Sequence, residues 1–285
     1  MYSTLIVPLD GSAFAAQAVD PAAFLSTRSH ATLLLLHVHE GPHNPGYRTP
    51  TWDEFFRNQE EAYLEAVAAR FQPDLSGNVE WSLLDGHVVT AICARVEAAK
   101  APLVVMSTHG RTGIRRAWLG GVATDVLRHS SAPVLMLRPR SDAVVPDRAS
   151  TEAPFANVIV ALDGSAFAEE VLCSAADVAR ASNARLVFLR VVDPKQSRED
   201  SMREANAYLD GLVRRGGNCY SSADARVEAH ASPGAAILAH AAGLERSLVA
   251  MASHGRGLSR LFLGSVADEV MRGAPGAVLM VRPRT

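Results

Sequence analysis

The chain has 285 residues, of which 48% are hydrophobic and 20% charged, with a formal net charge of −2. That length suggests two domains of ordinary size, and the near-neutral charge argues against nucleic acid as a partner. The longest apolar stretches, such as ATLLLLHV (31–38), fall far short of the roughly 20 residues that cross a bilayer, and TLIVPLD begins a strand rather than a signal peptide, so a cytoplasmic protein with no membrane partner is expected.

In chain order, apolar runs of strand character fall at 4–9, 32–38, 78–83, 102–107 and 133–138. Helical patterns separate them at 13–28, 52–70, 87–99 and 121–130. Short apolar strands alternating with helices predict βαβ units and a parallel sheet covered on both faces. The stretch RPRSDAVVPDRASTEAPFA (138–156) has three prolines and no sustained periodicity, which predicts a linker at 141–156 between domains at 1–140 and 157–285. Strands then recur at 157–162, 185–192, 226–231, 247–252 and 277–282.

The second half repeats the first. VPLDGSAFA (7–15) returns as VALDGSAFA (160–168), with Ala161 in place of Pro8, and LLLLHVHE (33–40) corresponds to LVFLRVVD (186–193), both 153 residues later. THGR (108–111) returns as SHGR (253–256) after 145 residues, whereas LGGVATDVLRHSSAPVLMLRPR (119–140) returns as LGSVADEVMRGAPGAVLMVRPR (263–284) after 144. One residue is therefore missing from the second glycine-rich loop.

Five strands, an LDGS turn after the first and a (S/T)HGR…LG(G/S)V segment after the fourth, in the same order in both halves, resemble the universal stress protein family. The chain is similar to a tandem member of it. The resemblance implies an α/β fold of two open doubly wound parallel five-stranded sheets, each of strand order 3-2-1-4-5. For some members it also implies ATP binding through Gly, two residues, Gly, nine residues, Gly, then Ser or Thr; other members bind no nucleotide. The last strands (133–139 and 277–283) would lie at sheet edges, where pairing would join the halves into an intramolecular pseudo-dimer, with a homodimer of two chains left open.

With that order, ligands belong in the crevice beyond the strand ends, between the first and fourth strands. In the first half the crevice would be lined by Pro8, Leu9, Asp10, Gly11, Ser12, Met106, Ser107, Gly110, Arg111, Gly120, Gly121 and Val122. In the second it would be lined by Ala161, Leu162, Asp163, Gly164, Ser165, Met251, Ala252, Gly255, Arg256, Gly264, Ser265 and Val266. Each aspartate can accept from ribose hydroxyls or fix its own turn. Glycine lets backbone approach an anion, and the helices opening at Gly120-Gly121 and Gly264-Ser265 present amide groups to phosphates. A helix N-terminus contributes only about 0.3 to 2 kcal/mol to anion binding, whereas micromolar affinity needs roughly 8. Adenine must therefore be buried too, against Val38 or Val191. The ligand expected is ATP, with magnesium accompanying it. Neither half contains GxxxxGK(S/T), so a nucleotide cradle of regulatory kind fits better than a phosphotransferase, with slow hydrolysis or a nucleotide-free scaffold as alternatives.

Against the family pattern, Ser107 stands at the first glycine position and Gly121 at the Ser/Thr position. In the second half Ala252 replaces the first glycine, and eight residues rather than nine separate Gly255 from Gly264. Other candidates have plainer readings. His109 and His254 brace their loops, with contact to a phosphate or an acid role as the alternative, and Arg115 and Arg116 form a solvated face with one packed indole, Trp118. Met106 and Met251 are core or the edge of an adenine pocket, and the 52–71 helix covers the first sheet or a partner domain. His37 and His39 share one face of a strand and His43 follows, which admits a metal site, yet Arg190 and Val192 occupy the matching positions in the second half. Cys93, Cys173 and Cys219 do not recur between halves and read as idle thiols.

Overall fold

A computed structural model describes residues 1–41, 49–72, 78–108, 120–139, 150–195, 198–216, 220, 222–253 and 263–282. The chain divides into two units: Tyr2–Ala132 with Pro139–Glu152, here the N-terminal unit, and Ala153–Thr285 with Met1 and Pro133–Arg138, here the C-terminal unit.

The N-terminal unit runs β1 (Thr4–Pro8), α1 (Ala13–Ala16), α2 (Val19–Ser29), β2 (Thr32–His39), α3 (Pro50–Phe71), β3 (Val79–Asp85), α4 (Val88–Ala98), β4 (Pro102–Ser107) and α5 (Gly121–His129). Its strands are parallel in the order β3-β2-β1-β4. Leu5, Ile6, Val7 and Leu33–Leu36 are buried without alternation, as expected of strands covered on both faces. Each such side chain contributes about 1.5 to 3 kcal/mol on burial.

The single helix expected over 13–28 is two: Gln17 ends α1, and the chain turns helical again at Val19. Pro21 has no amide hydrogen to donate to the Gln17 carbonyl, which favours a break there. The C-terminal unit breaks at the equivalent Glu170 with Ser174 in place of the proline, so the proline is not required.

The C-terminal unit contains β5 (Val134–Leu137), β6 (Asn157–Ala161), α6 (Ala166–Glu169), α7 (Leu172–Ser182), β7 (Arg185–Val192), α8 (Arg198–Arg215), β8 (Asp224–Ala229), α9 (Pro233–Ala242), β9 (Ser247–Ala252), α10 (Ser265–Gly273) and β10 (Ala277–Val281). Five strands are parallel in the order β8-β7-β6-β9-β10. Strand β5 lies antiparallel to β10, with Leu135 opposite Leu279. Cys93 is a free thiol, but Cys173 is disulfide-bonded, which corrects the reading of that residue as idle. No helix among the described residues is long and apolar enough to cross a membrane.

Candidate functional site

In each unit the LDGS turn leaves the carboxyl end of the strand at the centre of the parallel order, β1 or β6. Leu9 and Leu162 continue the ladder by donating to the carbonyls of Leu36 and Leu189 at 2.7 and 2.9 Å, and both are buried. The chain then reverses through a glycine of positive φ, +83° at Gly11 and +85° at Gly164, where a side chain would be strained. Asp10 Oδ1 accepts from the Ser12 amide at 2.9 Å, and Asp163 Oδ1 from the Ser165 amide at 2.8 Å. Each aspartate thus closes an Asx turn rather than capping the helix. The caps are the serines: Ser12 Oγ accepts from the Ala15 amide and Ser165 Oγ from the Ala168 amide. Only Ser165 also donates to its aspartate, at 2.6 Å.

Strands β4 and β9, parallel neighbours of β1 and β6, end at buried Met106-Ser107 and Met251-Ala252. Past them, the Gly120 amide donates to the Thr108 carbonyl at 2.8 Å, and the Gly264 amide donates to the Ser253 carbonyl at 3.0 Å. The two glycines cap α5 and α10 with matching backbone angles and no side-chain cap bond. At Gly120 a Cβ would lie 3.3 Å from the Thr108 oxygen, a tight approach that favours glycine. A helix N-terminus tied to a strand end, without a capping side chain over it, suits an anion. Gly121, Val122 and Ser265 are exposed there and Val266 is half-buried. His109, Gly110, Arg111, Arg115, Arg116, Trp118, His254, Gly255 and Arg256 lie outside the described residues.

The ends of β2 and β7 form the other flank. Val38 is almost fully buried and Val191 half-buried. Beside Val38, His39 Nδ1 lies 2.7 Å from Glu60 Oε2 and Nε2 lies 3.0 Å from Asp53 Oδ1. His37 Nε2 is 3.5 Å from Glu60 Oε1, its ring meets Tyr63 edge-on, and its buried Nδ1 has no hydrogen-bond partner among the described residues. Burial opposes charge on His39, but hydrogen bonds and proximity to Asp53 and Glu60 outweigh it and raise its pKa above the ordinary 6.5. No group of His, Cys, Asp and Glu among the described residues has the arrangement of a metal site.

In the C-terminal unit the matching flank is different. The Arg190 guanidinium lies over the Tyr208 ring at 5.1 Å, near Glu204 at 3.9 Å, and within about 3.2 Å of where a Cβ on Gly164 would stand. Burial and the Glu169 carboxylate push the Tyr208 phenol above its usual range. Sequence reasoning found His37 and His39 but missed their partners. Asp53 and Glu60, seven residues apart in an expected helix, were the available signal.

Duplicated α/β units carrying the same strand-end turn and helix cap define a tandem protein built twice on one plan. The chain belongs to the universal stress protein family, which residues 1–138 and 154–282 each match. A universal stress protein of Mycolicibacterium smegmatis is 27% identical over 305 aligned positions, covering 98% of this chain and 97% of that one. One from Methanocaldococcus jannaschii is 25% identical over 142 positions, 48% of this chain and 83% of that one. Among solved structures, a universal stress protein from Archaeoglobus fulgidus shares the fold at a TM-score of 0.74 and 20% identity, covering 98% of both chains.

Proposed function

We propose that the chain binds an adenine nucleotide, ATP with its accompanying magnesium, in the crevice between β1 and β4, between β6 and β9, or in both, and that this occupancy is regulatory. The observation that carries the reading is the repeated hinge of Gly120 on Thr108 and Gly264 on Ser253, which sets an uncapped helix start beside an LDGS turn. Phosphates would meet the first-turn amides of α5 or α10, with Gly110 and Arg111, or Gly255 and Arg256, joining from sequence. Ribose would meet Asp10 or Asp163, and adenine would rest against Val38 or Val191 beside Pro8 or Ala161. Magnesium would balance phosphate charge. Ser12 and Ser165 cap their helices, which speaks against either as a nucleophile.

The domains are read as 1–140 and 157–285 around a linker at 141–156. Pairing of the halves within one chain is supported by the antiparallel register of β5 on β10. A cytoplasmic stress-response role accords with the family. The rival, a nucleotide-free scaffold, draws on Ser107 and Ala252, whose Cβ atoms narrow the loop where the family pattern has glycine. The test is to denature the purified full chain, assay the supernatant for nucleotide, and titrate the emptied protein with ATP. Release or saturable binding supports the proposal; the absence of both favours the scaffold.

A further inference from the structure

The two repeats hold the helix after the second strand in different ways. In α3 the buried residues are Leu64, Val67, Ala68 and Phe71, all in its carboxyl half. Its amino half carries Trp52 and Phe55, which are 41% and 49% exposed, so apolar burial does little to hold that half in place. His39 reaches it, bonded to Asp53 in the first turn and to Glu60 two turns later, and Arg57 adds a solvent-facing ion pair to Asp85 of β3. A neutral imidazole has one N–H, so only the imidazolium donates to both carboxylates.

In the repeat, Tyr63, Leu64 and Val67 correspond to Tyr208, Leu209 and Leu212, which places Ala205 opposite Glu60, while Val192 replaces His39. Both Ala205 and Val192 are buried. A titratable pair in one unit is an apolar pair in the other.

The charged and titratable groups around His39 come from three elements. Strand β2 gives His37 and Glu40; α3 gives Asp53, Arg57, Glu60 and Glu61; β3 gives Asp85, which is in register with His39 and ion-paired with Arg57. His87 and Asp10 stand at the start of α4 and the end of β1. Arg57 pairs with Asp85, and Glu60 also meets His37 at 3.5 Å, but Asp53 and Glu60 are the carboxylates that bond His39. The residue before His39 is Val38, whose side chain takes the opposite face of the strand and borders the crevice.

We propose that His39 is a pH-sensitive clamp: its imidazolium docks the amino half of α3 onto the end of β2, and deprotonation releases that half and weakens ligand binding in the N-terminal crevice only. The ligand part rests on the nucleotide reading above; the clamp does not. The clamp is closed at and below the ordinary histidine value of 6.5 and opens as pH rises through the raised value.

The test follows, in the full chain across that range, the NMR titration of the His39 ring, the amide-exchange protection of residues 52–62 corrected for intrinsic rate, and the affinity for ATP. Protection is expected to fall with His39 deprotonation, and the affinity of one site to fall about fivefold or more, the low end of ordinary site-to-site coupling. His39→Gln is expected to lose protection at every pH. Should that variant fold poorly, Glu60→Gln removes one of the two carboxylates and is expected to move the midpoint to lower pH. A His39 that titrates at or below 6.5, protection that stays flat through its titration, or ATP affinity that ignores it would overturn the proposal. If ATP binds at no pH, the nucleotide reading fails, and protection alone decides the clamp.

Discussion

The amide of Gly120 donates to the carbonyl of Thr108 at 2.8 Å, so helix α5 starts from a point tied to the end of strand β4 whatever path the intervening loop takes. Gly264 and Ser253 repeat the bond, although the loop between them is one residue shorter than its counterpart. The helix start is thus positioned independently of loop length, and the deletion does not by itself misplace the helix that would meet an anion.

Substituting either turn glycine should be costly. Gly11→Ala and Gly164→Ala each force a side chain into φ near +84°, at a cost of about 1 to 2 kcal/mol. At Gly164 the new Cβ also meets the Arg190 guanidinium at 3.2 Å. Gly164→Ala is therefore expected to cost more in urea unfolding than the positive φ alone accounts for, with Arg190→Ala relieving the excess.

The caps should also separate the two turns. Ser12→Ala and Ser165→Ala each remove a helix cap worth about 1 kcal/mol. Ser165 additionally donates to Asp163, so a double-mutant cycle between Ser165→Ala and Asp163→Ala is expected to show the larger coupling when compared with Ser12 and Asp10 by denaturant melts.

The β5–β10 pair is open to a similar test. Leu135 and Leu279 face each other and are fully buried, so each change to alanine is expected to cost about 2 to 5 kcal/mol, with the double variant less destabilised than the sum of the two. Additive losses in thermal unfolding would show that the two do not pack as a pair.

Stability of the N-terminal unit should depend on pH through His39. Its folded value lies above 6.5, so its contribution is complete below 6.5 and lost as pH rises through the raised value. Urea midpoints of the N-terminal unit are expected to fall over that interval in the wild type and to be level in His39→Gln.

Much of this arrangement was legible in the residues. Buried parallel strands read as unbroken apolar runs, so LLLL at 33–36 and VIV at 158–160 marked their strands plainly, and the repeated LDGS announced both turns. Element ends and partners were harder to see. The split at Gln17 recurs at Glu170 without a proline, so no single residue type announces it. The Asx role of Asp10 depends on backbone angles, because a short polar side chain at a helix entrance can cap or close a turn equally well. Asp53 and Glu60 stand seven residues apart in a charged stretch, and only the placement of β2 gives the pair a shared partner in His39.

The central claim, an anion cradle at the starts of α5 and α10, is tested most directly by Gly120→Asp and Gly264→Asp. Aspartate is a favoured helix cap and suits the positive end of the dipole, which offsets the tight approach of its Cβ to the Thr108 oxygen at Gly120, while its carboxylate would occupy the place of a phosphate and repel it. Calorimetric titration of ATP into nucleotide-free protein is expected to show saturable binding by the wild type and its loss in the folded double variant, with Gly120→Ala and Gly264→Ala together as the control for the added Cβ atoms. ATP bound as tightly by the folded double variant, or no binding by the wild type, would contradict the cradle.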